Sequence, residues 1–150
     1  MNQSGIIKAV CISAQKGTSK TNINEAEIIT QHGIKNDSHA GEGHRQISLL
    51  PIEKIIEFQK KGAKVEFGSF GENLVVEGID FSLLKIRQKL FCNDIILEIT
   101  QIGKECKTPC RIFNQMGDCI MPREGIFTKV LTSSMLQGGK IKTGDTIYVE

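Results

Sequence analysis

Three of the five cysteines fall within 14 residues, in the stretch Gly103-Lys-Glu-Cys106-Lys-Thr108-Pro109-Cys110-Arg111-Ile-Phe-Asn-Gln-Met-Gly117-Asp-Cys119. Thr108 and Pro109 read as the N-cap and first residue of a short helix, and Gly117 as its stop. That places Cys110 in the first turn, where free N–H groups and the helix dipole favour an anion. Lys107 and Arg111 add positive charge beside it. Both influences lower a thiol pKa, and the thiolate is the form that attacks an electrophile or binds a metal. Cys106 and Cys119 are either bystanders or resolving partners for Cys110. The spacing C-x3-C-x8-C lacks paired C-x2-C knuckles and no His follows it, which argues against a structural zinc site. Cys11 and Cys92 lie on strand-like segments and are expected to pack as small hydrophobes.

A second cluster is polar. The stretch from Gly33 to Pro51 carries Asp37, His39, three glycines at 33, 41 and 43, His44, Arg45, Gln46 and Ser48. Glycines let backbone approach a ligand closely. His39, His44, Arg45 and Gln46 could hold a phosphate or a polar heterocycle, Arg being suited to bidentate contacts. The competing reading is a solvated loop in which Asp37 and Ser48 only cap turns. A third element, Phe67-Gly-Ser-Phe70-Gly-Glu72-Asn73-Leu74, suits a tight loop whose Phe rings plug the core. Asn73 there either bonds backbone or reaches into a site.

The elements that must carry these residues are mostly strands. Apolar alternation predicts strands at Gly5–Ser13, Ala26–Thr30, Arg45–Leu49, Glu72–Val76, Ile126–Leu131 and Thr146–Val149. Lys89–Cys92 and Ile95–Thr100 form a predicted hairpin around Asn93-Asp94, since Asn tolerates a left-handed turn. One helix is expected after Pro51 as its first residue. Ile52, Ile55, Ile56 and Gln59 share its face, and Gly62 stops it. Many short strands and one clear helix argue for a mainly β barrel or sandwich.

The 150 residues, 39% hydrophobic and 24% charged, suit one domain over 1–150 with a sizeable core. The net charge of +2 with scattered Lys and Arg gives nucleic-acid binding no support, and one Tyr with no Trp supplies few stacking platforms. No leader pattern or ~20-residue apolar run is present. With an odd cysteine count, free thiols in the cytoplasm are the expectation, with no membrane association.

Together the three elements resemble the MOSC family, named for the C-terminal domain of molybdenum cofactor sulfurases. Gly33–Pro51 is similar to its G-I-x-G-D-x-H-A-G…R-Q-[VI]-S-L-L stretch, and Phe70–Leu74 to its F-G-E-N-L signature. Pro109-Cys110 stands where members carry an essential cysteine after a strand ending in Thr-Gln, here Thr100-Gln101. The closing Glu124–Asp145 stretch resembles the family's last two strands. Departures are Asn36 for a usual Gly, Arg87-Gln88 where a Gly-Asp turn is common, and a longer link over Thr132–Gln137.

The resemblance implies a closed or partly closed antiparallel β-barrel with a few short helices. It also implies molybdenum cofactor (molybdopterin) as the ligand. Cys110 would be molybdenum ligand or sulfur carrier, and His39, Arg45, Gln46, Asn73 and Arg111 would hold the pterin and its phosphate. Three readings stay open: a molybdenum-dependent reductase of N-hydroxylated compounds, a non-catalytic sulfur or cofactor carrier, and a binding module without catalysis. The first would need an external reductase. Either of the first two implies partners in cofactor biosynthesis or sulfur donation.

Overall fold

The computed structural model describes residues 2–103, 125–132 and 139–150. The long first strand β1 (Gln3–Ile12) is followed by β2 (Thr21–Asn22), β3 (Glu25–Ile29), β4 (Gly33–Ile34) and β5 (Ile47–Pro51). Helix α1 (Ile52–Lys60) leads to β6 (Leu74–Glu77), and a 3-10 turn (Phe81–Leu83) to β7 (Lys89–Cys92). Then come β8 (Ile95–Ile102), β9 (Ile126–Thr132), β10 (Gly139–Lys142) and β11 (Thr146–Val149).

Seven strands in the order β11-β7-β8-β9-β5-β6-β1 close into a barrel through the β1–β11 pairing. β10, β3 and β4 form a small second sheet. The expected mainly β barrel is what forms, with one departure from the antiparallel expectation. β5 and β6 run parallel, Leu49 opposite Leu74. The cause is local: α1 lies between them and returns the chain in its original direction, as a crossover must.

Two apolar clusters follow from strand alternation. Ile7, Val10, Leu49, Leu74, Leu97 and Val130 are among those that fill the barrel, joined by Ile28, Ile34 and Ile141 from the small sheet. Ala9, Cys11, Leu50, Val75 and Phe127 face outward under α1, whose Ile52, Ile55 and Phe58 cover them. The Phe58 ring meets Phe70 edge-on, with centroids 5.6 Å apart.

The helix differs from expectation in two respects. Pro51 is extended (φ −75°, ψ 133°) and caps the helix from the end of β5, because it also pairs with Val76. Ile56 is 41% exposed, and Phe58 takes the buried position instead. Gly62 does follow the helix, at φ 102°. The Asn93 turn (φ 54°) is as expected, and Asn36, where a Gly is usual, is left-handed too (φ 70°). β2 and β4, at two residues each, are too short to carry a periodic signal.

Leu97 is fully buried in the barrel, opposite both Leu90 and Val130. Leu97→Ala should lower unfolding free energy by about 2–5 kcal/mol in urea titrations, the cost of a cavity in a closed core.

Candidate functional site

The polar loop is fastened at two places. At its start, Asp37 is buried among donors from three other parts of the chain. Oδ1 accepts from Lys20 Nζ at 2.7 Å and from the Ser13 amide at 3.1 Å. Oδ2 accepts from the His39 amide at 3.2 Å and from Asn73 Nδ2 at 3.1 Å. The Lys20 and Asp37 side chains are both fully excluded from solvent. Four donors use the capacity of a carboxylate. Asp37 is therefore more than the turn cap weighed from sequence, and Lys20 was missed altogether. No local pattern marks a lysine whose partner lies 17 residues on. Its position depends on Gly68 (φ 94°), where a Cβ would meet the Lys20 carbonyl oxygen at 2.1 Å.

At its other end the loop lies on the exit of β8. The His44 ring bonds Gln101 Oε1 at 2.9 Å, and the Thr100 hydroxyl donates to the His44 carbonyl. The Arg45 guanidinium sits over the Phe127 ring, 5.6 Å from its centroid. Directly beyond, Gly103 N donates to Gly125 O at 2.6 Å. Gly103 and Gly125, the described residues on either side of 104–124, thus lie beside the Gln101 that bonds His44. Cys106, Cys110, Arg111, Cys119 and the helix expected from Thr108 lie outside the described residues.

The remaining site residues named from sequence divide by exposure. His39, His44 and Arg45 are exposed. Gln46 is buried, its Nε2 donating to Gly41 O at 2.8 Å and its Oε1 accepting from Val130 N at 2.8 Å. Asn73 is fully buried, and its Nδ2 also donates to Cys11 O at 3.0 Å. Its Oδ1 accepts from the Ser48 amide and hydroxyl at 2.9 and 3.2 Å. Both amide hydrogens and both acceptor positions of Asn73 are used inside the protein. Gln46 and Asn73 hold the loop in place, buried with their side-chain hydrogen bonds met inside the protein.

Glu72 is also fully buried, its two oxygens accepting from the amides of Gly68 and Phe70 at 2.9 and 3.0 Å. Burial pushes its carboxyl up to about 7, against the opposing pull of those amides and of Lys20. Cys11 and Cys92 are buried free thiols, as expected, and burial pushes both up to about 12. Neither is a reactive thiolate near neutral pH.

Lys20→Met or Asp37→Asn should each cost about 3–5 kcal/mol, because each leaves a buried partner uncompensated; the double variant should recover part of the loss in urea titrations. Glu72 binds its proton more tightly folded than unfolded. Its stabilising contribution is complete below about pH 4.5 and is lost as pH rises through about 7. The change is on the order of 3 kcal/mol. Glu72→Gln should flatten that slope in melts across pH 4–8. It should also lower stability at pH 5 by about 1–3 kcal/mol, since an amide offers one acceptor to two N–H groups.

Comparison with known proteins bears on the barrel and on these motifs. The chain aligns at TM-score 0.78 with the crystal structure of the YuaD protein from Bacillus subtilis, at 20% identity, covering 99% of this chain and 97% of that one. YiiM from Escherichia coli aligns at 0.63 and 15% identity, over 100% of this chain and 70% of that one. YiiM from Geobacillus stearothermophilus aligns at 0.63 and 18%, over 97% and 73%. At such identities the likeness is one of fold. No curated protein matches the sequence. The model of the MOSC domain family matches residues 36–148, a span that takes in Asp37, His44–Arg45, Glu72-Asn73 and the whole cysteine stretch. The chain belongs to the MOSC family.

Proposed function

We propose that the protein binds molybdenum cofactor on the surface where His44 and Arg45 meet the exit of β8, with the Cys110 thiolate as metal ligand or sulfur-carrying atom. One observation carries this reading. The polar loop is bonded, through His44, to the two residues that precede the exit to the cysteine stretch. Loop and cysteine stretch are separated in sequence, and a site built from both requires that proximity.

The donors present suit the group in kind. Arg45 is exposed and offers a planar pair of N–H donors to a phosphate. His39 and His44 are exposed imidazoles on the same loop. Among the described residues no three His, Cys, Asp or Glu side chains gather to hold a bare metal ion. A metal here would therefore rest on Cys110 and on the sulfurs of the cofactor itself, a soft donor set. When bound, molybdenum cofactor supplies a redox centre for oxygen-atom transfer, as in reduction of N-hydroxylated compounds.

The protein's own part is positional. Arg45 holds the phosphate end, with its guanidinium braced on the Phe127 ring. Asp37, fixed by Lys20 and Asn73, sets the backbone that presents His39. Gln46 keeps the returning strand seated on β9. No helix among the described residues is long and apolar enough to cross a membrane.

Protein purified from a host that makes the cofactor should contain molybdenum and pterin in near-equal amounts, and Cys110→Ser should lose the molybdenum. Retention of molybdenum in the variant, or its absence from both proteins, counts against the proposal. With the loaded protein and an artificial electron donor, turnover of a hydroxylamine identifies a reductase. Its absence, with sulfane sulfur on Cys110, identifies a carrier.

A further inference from the structure

The turn that leads into β7 contains a residue type that its backbone disfavours. Lys85–Gln88 is closed by a hydrogen bond from Gln88 N to Lys85 O at 3.2 Å, and Arg87 within it has φ 77°. Arg87 N donates to Ile99 O at 2.7 Å, while Ile99 N donates to Gln88 O at 2.9 Å. Two residues thus oppose one on β8, which is a bulge with its first residue left-handed. That position is the natural place for glycine, and an L-residue there is strained. The backbone gains nothing from an arginine.

The position itself does have a setting. Arg87 is exposed, and no described residue forms an ion pair with it. The bond from its backbone N–H to Ile99 puts the Arg87 backbone against β8 immediately before Thr100 and Gln101, the residues that bond His44. Arg45 stands over Phe127 of β9, on the other side of β8. Two strand spacings, about 10 Å, separate the Arg87 backbone from β9.

The distribution of arginine points the same way. The sequence holds four, at 45, 87, 111 and 123, against fifteen lysines spread over its length. The two described arginines flank the exit of β8. Arg rather than Lys is the residue for bidentate recognition of phosphate and carboxylate.

We infer that Arg87 is an anion-recognition residue of this surface, opposite Arg45, and that the ligand received there bears a phosphate or carboxylate group. The inference rests on the reading of this surface as the ligand site and adds a residue to it. A bulge next to a site re-aims a side chain, and strain accepted at such a place is a common mark of function.

The test sets fold against binding. Inorganic phosphate and citrate are titrated separately into wild type, Arg87→Gly and Arg87→Lys at fixed ionic strength, following the His44 ring and Gln101 side-chain signals by NMR. Arg87→Gly should melt no lower than wild type, because glycine relaxes the turn. It should nonetheless bind the preferred anion about tenfold more weakly, as loss of a charge-assisted contact implies. Arg87→Lys should fall between the two. Preference for phosphate or for citrate identifies which anion the surface takes. Equal affinities in wild type and Arg87→Gly, or no saturable shift with either anion, overturn the inference. Molybdenum content in Cys110→Ser bears only on the cofactor proposal, so the two ideas can fail separately.

Discussion

The buried ion pair between Lys20 and Asp37 is the constraint on which the arrangement of the polar loop depends. Two charges with no solvent access are tolerated only when their remaining hydrogen-bonding capacity is met. Asp37 meets it by gathering the Ser13 amide, the His39 amide and the Asn73 side chain around the same carboxylate. One group thereby fixes the end of β1, the start of the polar loop and the start of β6. The pair defines where the chain must go more than it adds net stability, since its Coulombic gain is set against the loss of two hydration shells.

Around that pair the barrel works as a rigid mount. The strands β5 and β6 run parallel, so the residues that precede each of them, Gln46 and Asn73, emerge on the same side. Their amide side chains, with Ser48, replace backbone pairing that the strand entrances would otherwise lack. The helix that makes the parallel connection covers the outer face of the same strands. Glu72 closes the loop that follows it, by accepting two backbone amides within a fully buried pocket. The glycine-rich Phe67–Leu74 element is thus a structural joint. It holds Lys20 through the Gly68 contact and holds the polar loop through Asn73.

A division of labour follows within a single sequence motif. Asp37, Gln46 and Ser48 are turned inward and have their hydrogen bonds met by the protein. His39, His44 and Arg45, interleaved with them in sequence, face outward. The inward set fixes the backbone from which the outward set projects.

Strand content, the β7–β8 hairpin, the helix after Pro51 and the inert character of Cys11 and Cys92 were all legible in the sequence. Each rests on local chemistry: alternation, an Asn that accepts a left-handed turn, or an apolar neighbourhood. The family resemblance, carried by ordered motifs, also located the loop that lies against the β8 exit. What local chemistry could not separate was recognition from support within that loop. A buried glutamine or asparagine and an exposed one are the same letters. The difference came from partners 84 residues away for Gln46 and 25 and 62 residues away for Asn73. The same holds for Lys20, an ordinary surface residue by sequence until folding encloses it beside Asp37. Hydrogen-bond saturation is a property of the assembled fold, and only the tertiary structure decided which polar residues have capacity left for a ligand.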